Sequence, residues 1–212
     1  MRQRKIKNLQ EKLDAFSAYI IEEPQQCRQS PGELFGNDRP IYLEIGCGKG
    51  KFVTRCAQLH PEWNFIAVEG HKSVALRALE KAAECGENNI RFLLTYVEDI
   101  GDLFPAGALS GIFLNFSDPW PKDRHAKRRL TCKARLHQYR SVLEEGGFIQ
   151  FKTANDALFD FTLEQIEEAH LRVETMSRDL HHSELAEGNI TTEYEDKFAK
   201  TGKNINYVRI RA

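Results

Sequence analysis

A short glycine-rich loop is the part of this sequence whose residue types and spacing most clearly suit chemistry. It reads Glu44-x-Gly46-x-Gly48-x-Gly50 and directly follows an apolar run, Ile41–Ile45. Glycines let a backbone approach a ligand closely and adopt positive φ angles. In open α/β sheets, ligands bind beyond the carboxyl ends of the central strands. The loop therefore predicts a site for a nucleotide-type cofactor, although its spacing is not the G-x-G-x-x-G of dinucleotide-binding proteins.

Two acidic residues favour a cofactor site over the alternative, a plain strand-to-helix turn. Glu44 ends the first apolar run beside the glycines, and Glu69 ends the second, at residues 64–69. A carboxylate at the second position can accept hydrogen bonds from both hydroxyls of a ribose. A carboxylate at the first position would repel a pyrophosphate but attract a cationic amino group. Since S-adenosyl-L-methionine (SAM) carries such a group, the two acids favour SAM over a dinucleotide.

The adenine end of the same pocket is expected after the third predicted strand, in residues 95–99. Tyr96 offers a ring that can stack on a base, and Glu98 or Asp99 offers a carboxylate that can accept a hydrogen bond from an exocyclic amine. The residues alone leave open which of these groups contacts adenine.

A proline-stiffened segment after the fourth predicted strand supplies the candidate reaction centre. It reads Ser117-Asp118-Pro119-Trp120-Pro121-Lys122, and its two prolines restrict the backbone. In this class of fold the fourth strand lies next to the first, so the segment is expected to face the reactive methyl group. Asp118 supplies a carboxylate, Trp120 an aromatic surface and Lys122 a cation. This set suits a flat, polar substrate such as a nucleobase; the alternative is a stiffened turn around a buried tryptophan.

Three motifs resemble those of the bacterial tRNA (guanine-N7-)-methyltransferases. The first is Asn115-Phe116-Ser117-Asp118-Pro119-Trp120-Pro121-Lys122, followed by Arg124-His125-x-Lys127-Arg128-Arg129-Leu130. The others are Phe151-Lys152-Thr153 and Gly188-Asn189-Ile190-x-Thr192-Glu193-Tyr194-Glu195-x-Lys197-Phe198. The motifs occur in the family's order, and the resemblance runs from about residue 41 to residue 198, nearly the whole predicted fold.

The resemblance implies an activity and a set of site residues. The family transfers a methyl group from SAM to N7 of a guanine in the variable loop of tRNA, conventionally guanine 46, which gives 7-methylguanosine. Asp118 would be the catalytic residue. The cofactor-binding residues would be Glu44, Gly46, Gly48, Glu69, Tyr96 and Asp118. The guanosine-binding residues would be Lys122, Asn155, Asp156, Thr192, Glu193, Tyr194 and Glu195.

Two positions depart from the family's pattern. Tyr96 stands where the family usually has an aspartate near the adenine, and Ala154 stands where it usually has an aspartate that binds guanosine. Asn155 or Asp156 would have to replace that second carboxylate. No metal is expected, because the methyl sulfonium of SAM is itself the electrophile.

Alternating strand and helix patterns are expected to position these residues. Predicted strands lie at 41–45, 64–69, 90–95, 111–116, 148–152, 171–176 and 205–210. Predicted helices lie at 1–21, 50–59, 71–85 and 157–169, with another in the basic segment up to Gly146-Gly147. The pattern predicts an α/β, Rossmann-like SAM-dependent methyltransferase fold, with a seven-stranded, mostly parallel sheet and an antiparallel edge strand. Residues 1–40 would form an N-terminal helix and an irregular connector, and residues 41–212 the methyltransferase domain.

The distribution of charge predicts where tRNA docks. The formal net charge is only −1, but residues 122–140 carry eight Lys or Arg against one acid. The predicted N-terminal helix is also basic, with Arg2, Arg4, Lys5, Lys7 and Lys12. Phosphate contacts from such patches position a nucleic acid without reading its sequence. The candidates are Lys122, Arg124, Lys127, Arg128, Arg129, Lys133 and Arg135; the alternative is a solvated basic face.

Other features bear on compartment, metal binding and assembly. The five cysteines include no C-x-x-C pair, which argues against zinc and disulfides and favours a reducing compartment. No apolar run approaches the ~20 residues of a membrane span, and the N-terminal pattern is an amphipathic helix rather than a signal peptide. His181-His182 favours a loop or substrate-side role over a metal site. We expect a cytoplasmic protein without membrane association, as a monomer or homodimer.

Two other functions stay open at this stage. The first is a SAM-dependent methyltransferase acting on an exocyclic amine or a protein side chain, although Asp118-Pro119-Trp120-Pro121 differs from the Pro-Pro-aromatic motif of such enzymes. The second is an RNA-binding subunit with a vestigial cofactor loop. Tyr96 and Ala154 fit the second function, whereas the intact Glu44 and Glu69 argue against it.

Overall fold

The computed structural model of the chain describes residues 6–211 and places one seven-stranded sheet at its centre. The strands are β1 (Ile41–Ile45), β2 (Asn64–Val68), β3 (Ile90–Leu93), β4 (Leu109–Asn115), β5 (Leu143–Thr153), β6 (Arg172–Ser177) and β7 (Asn206–Arg211). Their order is β3-β2-β1-β4-β5-β7-β6. The first five strands pair in parallel, and β7 runs antiparallel to both β5 and β6. The predicted Rossmann-like fold is confirmed, with the antiparallel strand one position in from the sheet edge.

Helices cover both faces of the sheet. They are α1 (Leu9–Asp14), α2 (Gln25–Gln29), α3 (Lys51–Leu59), α4 (Lys72–Cys85), α5 (Lys133–Val142), α6 (Asp156–Glu168) and α7 (Glu193–Ala199). Every residue of β1, β2 and β4 is buried, as expected for parallel strands that are covered on both sides. None of the helices within residues 6–211 combines the length and apolar character that a membrane crossing requires.

Alternate residues of β1 face two separate parts of the core. Leu43 and Ile45 pack on the side of α5 and α6, whereas Tyr42 packs with residues of α3 and α4. Because successive side chains of a strand point to opposite faces, Glu44 lies on the same face as Tyr42. The sheet therefore directs Glu44 toward α3, the helix that follows the glycine-rich loop.

The N-terminal helix is shorter than predicted. Within the described residues α1 ends at Asp14, a 3-10 turn covers Ser17–Tyr19, and Ile20 forms a β-bridge with Phe92 of β3. Residues 1–5, with the basic Arg2, Arg4 and Lys5, lie outside the described part. The helical periodicity of the apolar residues was real, but bonding to the open edge of β3 outweighed it beyond Asp14.

Two further elements differ from the sequence analysis. The helix that was predicted to run up to Gly146-Gly147 ends at Val142, and Leu143 begins β5. No helix was predicted between the last two strands, but the residues between β6 and β7 contain α7. The Thr192 side chain caps α7 by accepting a hydrogen bond from the Glu195 backbone N–H at 3.0 Å.

Candidate active site

The glycine-rich loop joins β1 to α3 and leaves a bare surface at the carboxyl end of the sheet. Gly46, Gly48 and Gly50 have φ angles of +79°, +59° and +78°. A Cβ on Gly50 would lie 2.7 Å from the Ala78 Cβ, so Gly50 is required for the close packing of α3 on α4. A Cβ on Gly46 or Gly48 would meet nothing within 4 Å. The first two glycines therefore face open space that a ligand can fill.

Glu69 ties this loop to the turn after β2. Its carboxylate accepts hydrogen bonds from the Gly48 backbone N–H at 3.1 Å and from the His71 backbone N–H at 2.8 Å. The side chain is only partly buried. Glu69 thus holds a carboxylate at the rim of the open space, where it can accept further bonds.

Glu44 presents a buried carboxylate with one unsatisfied oxygen. The residue is 2% exposed, and its Oε1 accepts a hydrogen bond from Asn115 Nδ2 at 2.8 Å. Among the described residues no group bonds its Oε2. Burial raises the pKa of Glu44 to about 7, against the lowering effects of Asn115 and Lys152. Because buried polar atoms are nearly always hydrogen-bonded, this oxygen is an acceptor for which the described residues supply no hydrogen-bonded donor.

Tyr96 follows β3 and packs against the turn after β2 that carries Glu69. Its ring packs so closely on Gly70 that a Cβ there would lie 2.3 Å from Tyr96 Cε1, and its hydroxyl is 3.2 Å from His71 Nδ1. Tyr96 remains 64% exposed. The Asp99 carboxylate instead accepts hydrogen bonds from the Gly101 N–H and from Gln138 of α5. Tyr96 is therefore the candidate adenine contact that lies beside Glu69, whereas the Asp99 side chain has its partners elsewhere.

The segment after β4 is held in a strained conformation. Phe116 and Trp120 have φ angles of +54° and +41°, which bulky residues rarely adopt. Arg129 donates hydrogen bonds to the carbonyl oxygens of Pro119 and Trp120, both at 3.1 Å. Asp118 is exposed between these fixed points. Arg129, which was a candidate phosphate contact, is therefore engaged in shaping the loop.

Helix α7 lies against the same segment. The Phe116 ring stacks on Tyr194, with 6.5 Å between the ring centroids, and on Phe198, with 6.0 Å. Tyr194 is nevertheless 59% exposed. The structure therefore brings the segment from Thr192 to Glu195 next to the residues that precede Asp118.

A buried ion pair beneath α7 was missed by sequence reasoning. Lys152 Nζ lies 2.7 Å from Glu195 Oε2, and both side chains are fully buried. Lys152 also donates to the Ile190 carbonyl at 2.8 Å, and Glu195 accepts from His181 at 2.8 Å and from Asn189 at 2.6 Å. Burial acts to raise the pKa of Glu195, but Lys152 and these bonds outweigh it, so the pKa lies below its usual value. The available signal was Lys152, a charged residue directly after Phe151 within a predicted central strand.

Several predicted site residues have partners elsewhere in the fold. Asn155 caps α6 by accepting from the Leu158 N–H at 2.8 Å. The Asp156 carboxylate accepts from Lys203 at 2.7 Å and from Asn206 at 2.8 Å. Ala154 is buried in a small apolar cluster with Leu180, Ile205 and Tyr207. Lys122 is exposed at the end of the proline-stiffened segment.

The two adjacent histidines bond to different acids. His181 bonds to Glu195, as described above, and His182 Nδ1 lies 3.0 Å from the Asp179 carboxylate. Across residues 6–211, no three or more His, Cys, Asp or Glu side chains come together as they would around a metal ion.

Sequence comparisons place this chain among methyltransferases. A family model described as "Putative methyltransferase" matches residues 38–208. A tRNA (guanine-N(7)-)-methyltransferase of Lachnoclostridium phytofermentans is 45% identical over 97% of this chain and 96% of its own length. A protein of the same name from Halalkalibacterium halodurans is 46% identical over 88% of this chain and 84% of its own length.

Solved structures with low sequence identity share the fold. A 16S rRNA methyltransferase, KamB, superposes with a TM-score of 0.62 at 13% identity and covers 84% of this chain and 90% of its own. A SAM-dependent methyltransferase from Aquifex aeolicus has a TM-score of 0.56 at 13% identity and covers 97% of this chain and 99% of its own. At these identities the likeness extends to the fold alone.

Proposed function

This chain belongs to the tRNA (guanine-N(7)-)-methyltransferase family, and we propose on that basis that it transfers a methyl group from SAM to N7 of a guanine in tRNA. The observation that carries the proposal is the buried Glu44 carboxylate, whose Oε2 has no partner within the described part of the chain. We further propose that the target guanine lies in the tRNA variable loop, at position 46 by convention, and that the reaction takes place in the cytoplasm.

The residues around the glycine-rich loop fit SAM. Glu44 would accept a hydrogen bond from the α-amino group, which would satisfy its unpaired oxygen and neutralise its charge. Gly46 and Gly48 leave the space in which the backbone can approach the cofactor. Glu69 would accept from the ribose hydroxyls, and the Tyr96 ring would stack on adenine beside it.

The reaction requires alignment more than acid–base chemistry. SAM supplies a methyl group on a sulfonium, which is already electrophilic. Guanine N7 carries an available lone pair, so no residue must first remove a proton. The task of the protein is then to hold N7 in line with the methyl carbon and the sulfur. As positive charge develops on the purine, the Asp118 carboxylate would stabilise it.

The guanine would bind between the segment after β4 and α7. Tyr194 is exposed and lies on Phe116, so it would contact the base, and Glu193 would accept hydrogen bonds from the N–H groups of guanine. Lys122 would contact the same nucleotide from the segment after β4. Thr192 and Glu195 already have internal partners and would fix the position of α7.

The family's usual guanosine-binding aspartate has no direct replacement in this conformation. Asn155 and Asp156 follow Ala154, but the capping bond and the Lys203 contact occupy oxygens of both side chains. We propose that Asn155 contacts guanosine through its amide nitrogen and that Asp156 does so only if Lys203 is displaced.

The tRNA backbone would lie along the basic segment and the N-terminal helix. Lys122, Arg124, Lys127, Arg128 and Lys133 are exposed there, as are Lys7 and Lys12 near the chain start. Arg135 instead bonds to the Glu98 carbonyl oxygen. The exposed cations would neutralise phosphates and so orient the variable loop toward Asp118. We expect a monomer or a homodimer to carry out the reaction.

Methyl transfer with identification of the product tests this proposal. The protein is incubated with labelled SAM and unmodified tRNA, and the tRNA is digested to nucleosides. We expect label in 7-methylguanosine. Label in a nucleoside methylated on an exocyclic amine would contradict the proposed target atom. Binding of tRNA without transfer would indicate an RNA-binding subunit and contradict the proposed activity.

A further inference from the structure

Helix α7 is attached to three different elements through the acids of its first turn. Glu193 Oε1 lies 2.7 Å from Lys81 Nζ of α4, and Glu195 pairs with Lys152 of β5 as described above. The third acid, Asp196, forms an ion pair with Lys51, the first residue of α3. Each acid of the turn therefore meets a lysine from a separate part of the fold.

The contact with α3 brings α7 directly onto the cofactor loop. The Lys51 backbone N–H donates to Glu193 Oε1 at 3.3 Å, and the Lys51 ammonium donates to Thr191 Oγ1 at 2.6 Å. Lys51 follows Gly50, the last glycine of the loop. Any ligand that fixes the glycine-rich loop therefore also acts on Glu193.

Other contacts of α7 are made with residues 116–122, the segment after β4 that carries Asp118 and is here called the reaction segment. Tyr194 stacks on Phe116, two residues before Asp118. The helix has only seven residues, and Glu195 is the residue within it that is buried. Isolated helices of this length are not stable in water. The placement of Glu193 and Tyr194 thus depends on the surrounding contacts, of which those with Lys51 lead to the glycine-rich loop and the one with Lys81 leads to α4.

We propose that Lys51 and Lys81 are positioning residues that couple the two binding sites, so that cofactor and target guanosine each strengthen the binding of the other. The inference rests on the proposed function. A cofactor in the glycine-rich loop would order Gly50 and Lys51, and through them Glu193 and Tyr194. The guanosine would then bind a segment that is already ordered and would lose less conformational entropy.

Lys81 is the better residue to change. The backbone bond of Lys51 to Glu193 survives any side-chain substitution, whereas the Lys81 contact is made by its ammonium alone. Both Lys81 and Glu193 keep about a third of their side chains exposed, at 34% each. Ion pairs with this much contact with solvent contribute little to the free energy of unfolding. The Lys81→Met variant is therefore expected to fold with an unchanged midpoint of thermal unfolding.

The chain offers a matched control on the same helix face. Arg77 lies one turn before Lys81 and pairs with Glu80 within α4, at 2.7 Å. The Arg77→Met variant removes the same charge from the same helix without touching α7. The Lys81→Arg variant keeps a cation that can reach Glu193 and serves as the conservative replacement.

The test measures the dissociation constant of tRNA with and without S-adenosylhomocysteine, the cofactor product. For the unchanged protein, Arg77→Met and Lys81→Arg, we expect the product to tighten tRNA binding by about 5-fold or more, within the usual range of coupling between sites. For Lys81→Met we expect a smaller factor than for these three proteins, because Glu193 then keeps only its bond to the Lys51 backbone. Because coupling is reciprocal, tRNA should tighten binding of the product by the same factor in each protein.

Three results would overturn the inference. They are a coupling factor of about 1 in the unchanged protein, a full factor in Lys81→Met, and an equal loss in Arg77→Met. Failure of the unchanged protein to bind either ligand would contradict the proposed function itself, and the coupling with it. That failure is visible before any variant is made, so the two claims are tested separately.

Discussion

Among single residues, Glu44 is the one that we expect to make the proposed cofactor site depend on pH. Its pKa of about 7 lies above that of a glutamate in an unfolded chain because the carboxylate is buried. The folded protein therefore binds this proton more tightly than the unfolded chain does. As pH rises from about 4.3 to 7, ionisation of Glu44 lowers the free energy of unfolding, and above 7 its contribution is constant.

Cofactor binding should show the opposite dependence on pH. The cationic amino group of S-adenosylhomocysteine requires an ionised Glu44, so we expect affinity to fall about tenfold per pH unit below 7. Titration calorimetry from pH 5.5 to 7.5 would measure this. The Glu44→Gln variant should bind more weakly and lose the dependence. An unchanged dissociation constant between pH 6 and pH 7.5 in the unchanged protein would contradict the assigned role of Glu44.

Replacing Asp118 by asparagine should affect turnover more than binding. Asp118→Asn keeps the size of the side chain but removes the charge that would stabilise the positive purine. By analogy with the loss of one preorganised group at a reaction centre, we expect kcat to fall about 10²- to 10³-fold. Single-turnover kinetics with saturating tRNA and SAM would measure this. Near-normal turnover would refute the assignment, and a rise in KM alone would indicate a binding role.

Some of these residues could be predicted from sequence and others could not. The positions of Glu44 and Glu69 follow from where two apolar runs end, because parallel strands end at the same edge of a sheet. Lys152 and Glu195 are 43 positions apart, and Lys81 and Glu193 are 112 apart. No local pattern relates such pairs, since only the completed fold brings them together.

Among the elements, α7 is the one whose absence from the sequence prediction matters for the site. Thr192 and Glu195 have the spacing of a helix capping box, and the structure contains the bond from the Glu195 N–H to the Thr192 hydroxyl. That local signal was present in the sequence. The helix was overlooked because its apolar face is limited to Tyr194 and Phe198 among charged residues. Its first turn is held by ion pairs as well as by the packing of Tyr194 on Phe116.

Removing one member of the buried Lys152–Glu195 ion pair should destabilise the protein much more than removing both. Lys152→Met leaves the Glu195 charge buried without its main partner, and we expect a loss of about 3–5 kcal/mol in the free energy of unfolding. Lys152→Met/Glu195→Gln removes both charges and should recover much of that loss. Urea denaturation of both variants measures the difference. A loss below about 1 kcal/mol in Lys152→Met, as for an exposed pair, would contradict this account.

At the N-terminus, the helical pattern of the sequence extends further along the chain than the helix in the structure. The helical spacing of Leu9 and Leu13 is retained, and both residues pack with the core beside α3 and α4. Beyond α1 the backbone instead approaches the sheet, where the Ile21 N–H donates to the Phe92 carbonyl oxygen at 2.8 Å. A bond to an open strand edge is a long-range event that a hydrophobic pattern does not encode.

At the scale of the whole molecule, the positions of the charged residues matter more for docking of tRNA than the net charge does. The chain is close to neutral, with 30 basic and 31 acidic residues. Several exposed cations nevertheless follow closely in the chain after the segment that carries Asp118, namely Lys122, Arg124, Lys127, Arg128 and Lys133. The class of fold was predictable from the alternation of strands and helices. Which basic residues are exposed was not, because Arg129 and Arg135 fold back onto backbone carbonyl groups.

Binding of tRNA should weaken with salt, and part of that dependence should come from the basic segment. For Arg124→Gln/Lys127→Gln, we expect the slope of log affinity against log salt concentration to decrease by about 1 per lost phosphate contact. Arg55→Gln/Arg172→Gln removes two exposed cations from α3 and the far edge of the sheet, and should leave the slope unchanged. Equal slopes in both variants would argue against docking on this segment.

A single-atom change in the substrate tests the proposed reaction most directly. A tRNA is prepared with 7-deazaguanosine at the variable-loop guanine, which replaces N7 by a C–H group and keeps the other hydrogen-bonding groups of the base. We predict that this tRNA binds with nearly unchanged affinity but accepts no methyl group from SAM, whereas the matched guanosine tRNA is methylated. Undiminished transfer to the 7-deazaguanosine tRNA would contradict N7 of that guanine as the target.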